Sequence, residues 1–118
     1  MIALIRALFA NPEAEDDPAA WATRYAAHVG VGAALWLIVQ VWASPFPATA
    51  AVAALMAAWE VAQWRGGARM AWDGLLDWCG VTLAAAALWA VADGQTGMAA
   101  FSGAAVVVIL VVGVKARQ

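Results

Sequence analysis

Apolar residues form four long runs along the chain, and short segments rich in polar residues, proline or glycine separate them. The runs lie at about residues 21–43, 48–64, 68–92 and 98–114. A helix needs ~20 mostly apolar residues to cross a membrane, and each run is close to that length. The chain is therefore predicted to be an all-α integral membrane protein with four transmembrane helices.

Proline and glycine mark where these helices are expected to end. Proline cannot continue a helix because it lacks the backbone N–H group, so Ser44-Pro45-Phe46-Pro47 should end the first helix. Gly66-Gly67 should cap the second helix and form a tight turn into the third. The segment at residues 93–97 should connect the third helix to the fourth.

The first 20 residues are expected to form a separate region ahead of the four-helix domain at residues 21–118. Residues 1–10 are too few to span a membrane, but their apolar side chains recur on one helical face. This pattern predicts a short interfacial helix, with a frayed terminus as the alternative. An acidic linker follows and ends at Asp17-Pro18, a pair that suits the start of a helix.

Composition supports a membrane protein and excludes some kinds of site. Hydrophobic residues make up 66% of the chain and charged residues 12%, whereas soluble domains contain about 25% charged residues. The net charge is −2 and there is no basic patch with interleaved aromatic residues, so a nucleic-acid partner is not expected. The single cysteine, Cys79, excludes an intrachain disulfide and a cysteine-based metal site.

The distribution of basic residues predicts the orientation. All six fall on one side of the predicted membrane, and the other two loops contain none. Because cytoplasmic loops carry an excess of Lys and Arg, the chain is expected to have both termini in the cytoplasm. The six residues are Arg6, Arg24, Arg65, Arg69, Lys115 and Arg117.

Polar side chains are concentrated around the turn between the second and third helices. Glu60 and Gln63 are three residues apart, and Asp73 and Asp77 are four apart. Each pair therefore shares one face of its helix. The turn should bring the two faces together, with Glu60 level with Asp73 and Asp77 a turn deeper.

One residue of the first helix and two near the turn complete the candidate site. His28 lies at a comparable depth from the same side, so it should reach the same cavity, open to the cytoplasmic leaflet. Arg65 and Arg69 should stand at the mouth of this cavity. The candidate ligand-binding residues are His28, Glu60, Gln63, Arg65, Arg69, Asp73 and Asp77.

Several chemistries fit this set. Paired carboxylates can perform acid–base catalysis, so whether the protein is an enzyme stays open and no catalytic residue is singled out. Arg65 and Arg69 suit an anionic lipid head group or phosphate. His28, Glu60 and an Asp suit a divalent metal, but their spacing is not diagnostic, so neither a metal site nor a cofactor is predicted. The structural alternative is an ion-pair network that only fixes helix register.

The order of these residues resembles the VanZ-like family of small bacterial membrane proteins. The resemblance covers about residues 25–88, and the spacing Arg69-x-x-x-Asp73-x-x-x-Asp77-x-x-Gly80 is its most specific part. His28 and Glu60-x-x-Gln63 also match. The family often has an Asp-Lys pair before the His and an Asn before the closing Gly, and this chain has neither. The resemblance implies a location in the bacterial inner membrane and a role at the cell envelope, where one family member is linked to glycopeptide-antibiotic resistance.

These observations lead to one functional hypothesis and two alternatives. The hypothesis is a VanZ-like envelope protein that binds a lipid or a lipid-linked precursor head group in the polar cavity. The first alternative is an accessory subunit of a larger membrane complex, with an exposed face of small residues such as 84–87. The second is a holin-type membrane protein of a bacteriophage, acting as a homo-oligomer. The expected partners are therefore membrane lipids, other membrane chains or further copies of this chain.

Overall fold

The computed structural model of the chain describes residues 17–118, and these residues form four α-helices and no strand. The helices are α1 (Pro18–Val39), α2 (Pro45–Gln63), α3 (Ala68–Ala92) and α4 (Thr96–Lys115). All four are long and apolar enough to cross a membrane. The prediction of an all-α, multi-pass membrane protein is confirmed. The predicted interfacial helix at residues 1–10 lies outside the described residues.

Pro18 and Pro45 are the first residues of α1 and α2. Asp17 caps α1, because its carboxylate accepts hydrogen bonds from the backbone N–H groups of Ala19 and Ala20 at 3.2 and 3.1 Å. Pro18 then occupies the first turn, where a missing N–H is tolerated. Pro45 likewise begins α2, so this helix starts three residues before the predicted 48.

The ends of the first helices also differ from the prediction. The first helix was expected to continue to residue 43, but α1 ends at Val39 and a turn follows. Ser44 has an extended backbone, ψ 161°, as expected for a residue before proline. Gly66 and Gly67 form the α2–α3 turn with φ of 104° and 95°, which side-chain-bearing residues rarely adopt.

Helices α1 and α3 form the centre of the bundle. Each contacts all three other helices, whereas α2 and α4 do not contact each other. Because α3 is central, Ala85 is fully buried and its neighbours at 84, 86 and 87 are partly buried. This stretch is therefore not the exposed face of small residues that the accessory-subunit hypothesis expected.

The apolar core fills the half of the bundle near the α1–α2 turn. Trp36, Val52 and Val81 are each at most 2% exposed there. The Trp36 Nε1–H donates a hydrogen bond to the Thr49 hydroxyl at 2.9 Å, and this bond ties α1 to α2. Large apolar side chains such as Leu37 and Val107 are exposed on the outside, as expected for surfaces that face lipid tails.

The opposite end of the bundle brings together the start of α1, the α2–α3 turn and the end of α4. Trp21 of α1 packs against Gly113 of α4, where a Cβ would overlap the indole ring. The guanidinium of Arg117 lies 4.4 Å from the centre of the same ring. The buried charged residues Arg24, Asp73 and Asp77 lie between these helix ends.

Candidate functional site

The candidate site is built from the inward faces of the central helices. On α1, Arg24 and His28 are four residues apart and are 3% and 6% exposed. On α3, Asp73 and Asp77 have the same spacing and are 3% and 2% exposed. Because residues four apart share a helix face, both pairs point into the space between α1 and α3.

Oppositely charged side chains pair across this space. Arg24 Nε lies 3.6 Å from Asp77 Oδ2, and Arg24 Nη2 lies 3.9 Å from Asp73 Oδ2. His28 Nδ1 lies 3.0 Å from Asp77 Oδ2. A lone charge in an apolar interior costs several kcal/mol unless it is paired, so the paired residues of α1 and α3 hold each other in place.

A second guanidinium reaches Asp73 from the last turn of the chain. Arg117 Nη2 donates to Asp73 Oδ1, and Nη1 donates to the Gly113 carbonyl at 3.0 Å. Asp73 is therefore held between Arg24 of α1 and Arg117 beyond α4. This contact fastens α4 to the central pair of helices.

Helix α2 contributes Glu60, which is half-buried against α3. A Cβ built on Gly74 would lie 2.7 Å from Glu60 Oε2, so the absence of a side chain at Gly74 leaves room for this carboxylate. Glu60 is thus level with residues 73–74, as the hairpin geometry predicted. Gln63, one turn nearer the α2–α3 turn, is also partly buried.

A cavity of about 430 Å³ opens between α2 and α3 beside these side chains. Its polar lining comes from Arg24, Glu60, Gln63 and Asp73, and the rest of the lining is mainly apolar. Small-molecule sites commonly have volumes of about 300–1,000 Å³ and apolar walls with a few fixed polar groups. The apolar residues of the wall are Ala57, Val61, Trp64, Met70, Ala71, Gly74, Leu75 and Trp78.

A second cavity, of about 240 Å³, lies on the other side of the cluster between α1 and α2. His28 is its one ionisable lining residue, and apolar side chains such as Leu35, Leu55 and Val81 form the rest of its wall. The charged cluster therefore separates two spaces. The larger one is bounded by charged groups and the smaller one is almost wholly apolar.

The structure does not bring all seven predicted site residues together. His28, Glu60, Asp73 and Asp77 converge, and Gln63 lines the larger cavity. Arg65 and Arg69 are exposed at the α2–α3 turn, and neither lines the larger or the smaller cavity. Arg65 Nη1 donates to the Ala62 carbonyl at 3.0 Å, so its guanidinium caps the end of α2.

The cations of the cluster are residues that sequence reasoning does not assign to the site. In the sequence-based prediction, Arg24 and Arg117 are used only to assign the orientation of the chain in the membrane. The sequence does contain a signal that Arg24 belongs to the cluster, since Arg24 lies one helical turn before His28 on the same face. Arg117 has no comparable signal, because its contact with Asp73 spans 44 residues of sequence.

Three side chains of the cluster have the arrangement of metal ligands. His28, Glu60 and Asp77 each offer one ligand atom, and these atoms lie within 4.8 Å of one another. They come from α1, α2 and α3 respectively. The site can therefore pair charges, accept hydrogen bonds from a ligand in the cavity, or hold a cation.

Comparison with protein-family models, with curated proteins and with solved structures finds no match to this chain. The geometry and chemistry of the cluster are therefore the basis on which a function is proposed.

Proposed function

We propose that this chain is a VanZ-like protein of the bacterial inner membrane that binds the head group of a lipid or lipid-linked precursor in the cavity between α2 and α3. The observation that carries the proposal is the composition of that cavity. A few fixed polar groups are set in a lining that is otherwise mainly apolar. An amphiphilic molecule could place its head group on the polar side chains and its tail on the apolar ones.

The chemistry of the cavity favours a head group with hydrogen-bond donors, such as the hydroxyls of a sugar or an amine. Glu60 Oε1 accepts no hydrogen bond from the residues at 17–118, whereas Asp73 already pairs with two guanidiniums. A bound hydroxyl or ammonium group would supply the missing donor to Glu60. Gln63, with both a donor and an acceptor, would complete the contact.

The volume of the cavity fits part of a lipid and not a whole one. A space of about 430 Å³ accommodates a head group with the first atoms of its chains. The exposed apolar side chains of Val61 and Leu75 lie at this cavity. The remaining acyl chain would continue along them into the bilayer.

The proposed orientation places this cavity near the cytoplasmic leaflet. Among the described residues, every Lys and Arg lies at the end of the bundle that carries the cavity or at its α2–α3 turn. The excess of positive charge on cytoplasmic segments supports both termini being cytoplasmic. The lipid would then enter from the inner leaflet.

Native mass spectrometry of the protein, extracted gently from its own membrane, tests this proposal. The wild type should retain a lipid, and Glu60→Ala and Gln63→Ala should retain at least tenfold less of it. Asp93→Asn is the matched control, because Asp93 is an exposed carboxylate beyond the far end of α3. Its occupancy should equal that of the wild type.

Three outcomes would overturn the proposal. Equal lipid occupancy in wild type, Glu60→Ala and Gln63→Ala would place the lipid elsewhere. Lipid-free protein in a fixed complex with other chains would favour the accessory-subunit alternative. A lipid-free homo-oligomer would favour the holin alternative.

A further inference from the structure

The three helices that surround the charged cluster each contribute one potential metal ligand to the same point. Ligand atoms of His28, Glu60 and Asp77 lie within 4.8 Å of one another. Atoms bound to one ion at about 2.0–2.2 Å lie no more than about 4.4 Å apart. Small rotations of the side chains would therefore bring all three into bonding distance.

Each of these side chains has a lone pair without a partner. Both nitrogens of His28, Glu60 Oε1 and Asp77 Oδ1 have no hydrogen bond to residues 17–118. His28 and Asp77 are more than nine-tenths buried, and buried polar atoms in native proteins are nearly always partnered. A cation would supply a common partner, since carboxylate oxygens and an unprotonated imidazole nitrogen all donate electron pairs to metals.

The contact between Asp77 and His28 has the spacing of two neighbouring ligands of one ion. Asp77 Oδ2 lies 3.0 Å from His28 Nδ1, but neither nitrogen of the imidazole has a hydrogen bond to residues 17–118. Two ligand atoms bound at about 2.1 Å to one tetrahedral or octahedral ion lie about 3.0–3.4 Å apart. An ion held between Nδ1 and the Asp77 carboxylate would therefore need little movement of these two side chains.

The charge of the cluster also favours a cation. Arg24 and Arg117 contribute two positive charges, and Glu60, Asp73 and Asp77 contribute three negative charges when ionised. One negative charge is left over while His28 is neutral. The guanidinium of Arg24, 3.6 Å from Asp77 Oδ2, would repel an ion, but Arg24 also approaches Asp73 at 3.9 Å. Asp73 therefore shares the positive charge of Arg24.

We propose that His28, Glu60 and Asp77 bind a divalent transition-metal ion, Zn²⁺ or Mn²⁺. An imidazole ligand favours such ions over Mg²⁺ and Ca²⁺, which prefer oxygen ligands alone. Three protein ligands leave at least one coordination position open. Glu60 also lines the larger cavity, so that position is accessible to a ligand there. The metal site shares Glu60 with the proposed lipid site, but it rests on His28 and Asp77 as well and is tested without lipid.

Metal binding to the purified protein without lipid tests the site. The protein is prepared without a histidine tag, stripped with a chelator and titrated with Zn²⁺ and then Mn²⁺ in detergent. Calorimetry and elemental analysis should show one ion per chain for at least one of the two. His28→Ala and Glu60→Gln should weaken this binding at least tenfold. Glu60→Gln keeps the shape of its side chain, so it remains informative if His28→Ala fails to fold.

Two controls separate this proposal from the lipid proposal. Gln63→Ala should bind metal like the wild type, because Gln63 is outside the three ligands, whereas its lipid occupancy should fall. Asp93→Asn should leave metal binding unchanged. The metal proposal is overturned if the wild type binds neither ion, or if Glu60→Gln binds as tightly as the wild type.

Discussion

At the scale of single residues, the Arg117 side chain makes three different interactions. Its guanidinium pairs with Asp73, donates to the Gly113 carbonyl and lies over the Trp21 ring. Its side chain is 8% exposed. Removing one member of a buried ion pair costs more than removing both, because the partner is left charged and unpaired.

We expect Arg117→Ala to lower the free energy of unfolding by about 3 kcal/mol. Lys115→Ala is the matched control, since Lys115 is exposed on the same segment, and it should change stability by less than about 0.5 kcal/mol. Reversible unfolding in mixed detergent micelles measures both. Adding Asp73→Asn to Arg117→Ala should cost less than the two single changes together. Equal stability of the two alanine variants would show that the pair contributes little.

The same residue shows why only part of the site could be predicted. The convergence of His28, Glu60, Asp73 and Asp77 could be predicted because ionisable groups in apolar helices are rare and because helical spacing shows which of them share a face. Arg117 was missed because its position depends on how α4 packs, and periodicity does not carry that information. Arg65 was expected at the mouth of the cavity, but its guanidinium bonds to the end of its own helix, a contact that helical spacing does not reveal.

At the scale of helices, close contact between α1 and α3 depends on glycine. A Cβ on Gly32 would lie 3.2 Å from the Cβ of Val81 and closer still to one of its methyl groups. Small residues let helix backbones approach in membranes, where packing and not the hydrophobic effect drives association. The approach of α1 to α3 also sets the distances between Arg24, His28 and Asp77.

Gly32→Ala should therefore destabilise the protein by about 1–3 kcal/mol through overpacking. Gly30 lies on the same helix, and a Cβ added there would meet nothing within 4 Å. Gly30→Ala should therefore be neutral or stabilising by up to about 1 kcal/mol, as helix propensity predicts. Thermal unfolding of the two variants tests the contrast. Val81→Ala should recover part of the loss in Gly32→Ala. A Gly32→Ala protein as stable as Gly30→Ala would show that the helices are not held this closely.

Helix number was predictable and helix boundaries were less so. Four apolar runs give four helices because each run must satisfy its backbone hydrogen bonds internally in lipid. The third helix matches its predicted bounds, since Gly67 and Gly94 with positive φ stand on either side of it. The boundary between the first two helices was misplaced because Pro45 and Pro47 can either follow one helix or begin the next.

At the scale of the whole molecule, charge is distributed asymmetrically between the two ends of the bundle. The end near Trp21 and Arg117 carries the cluster and both exposed arginines of the α2–α3 turn. The other end has Asp93 and no Lys or Arg among the described residues. Such an asymmetry fixes how a multi-pass protein sits in its membrane.

Labelling of single cysteines should show this orientation directly. In a Cys79→Ser background, Ala68→Cys and Gln118→Cys should react with an impermeant thiol reagent only when the cytoplasmic face is accessible, as in inverted vesicles. Ser44→Cys and Gln95→Cys should react only in intact spheroplasts. Residues 44, 68, 95 and 118 are all exposed, so differences in labelling would report the side of the membrane. Labelling of residue 68 from outside would reverse the proposed orientation.

The division of the ion pairs among α1, α3 and α4 has a consequence for biogenesis. Synthesis delivers α1 first and α4 last, so Arg24 and His28 enter the membrane before the aspartates that pair with them. An unpaired charge is costly within the bilayer, which favours holding α1 beside the insertion machinery until α3 arrives. Asp73 gains its second guanidinium only when residue 117 is made. The ion pairs of the cluster can therefore form in two steps, the first when α3 meets α1 and the second when Arg117 reaches Asp73.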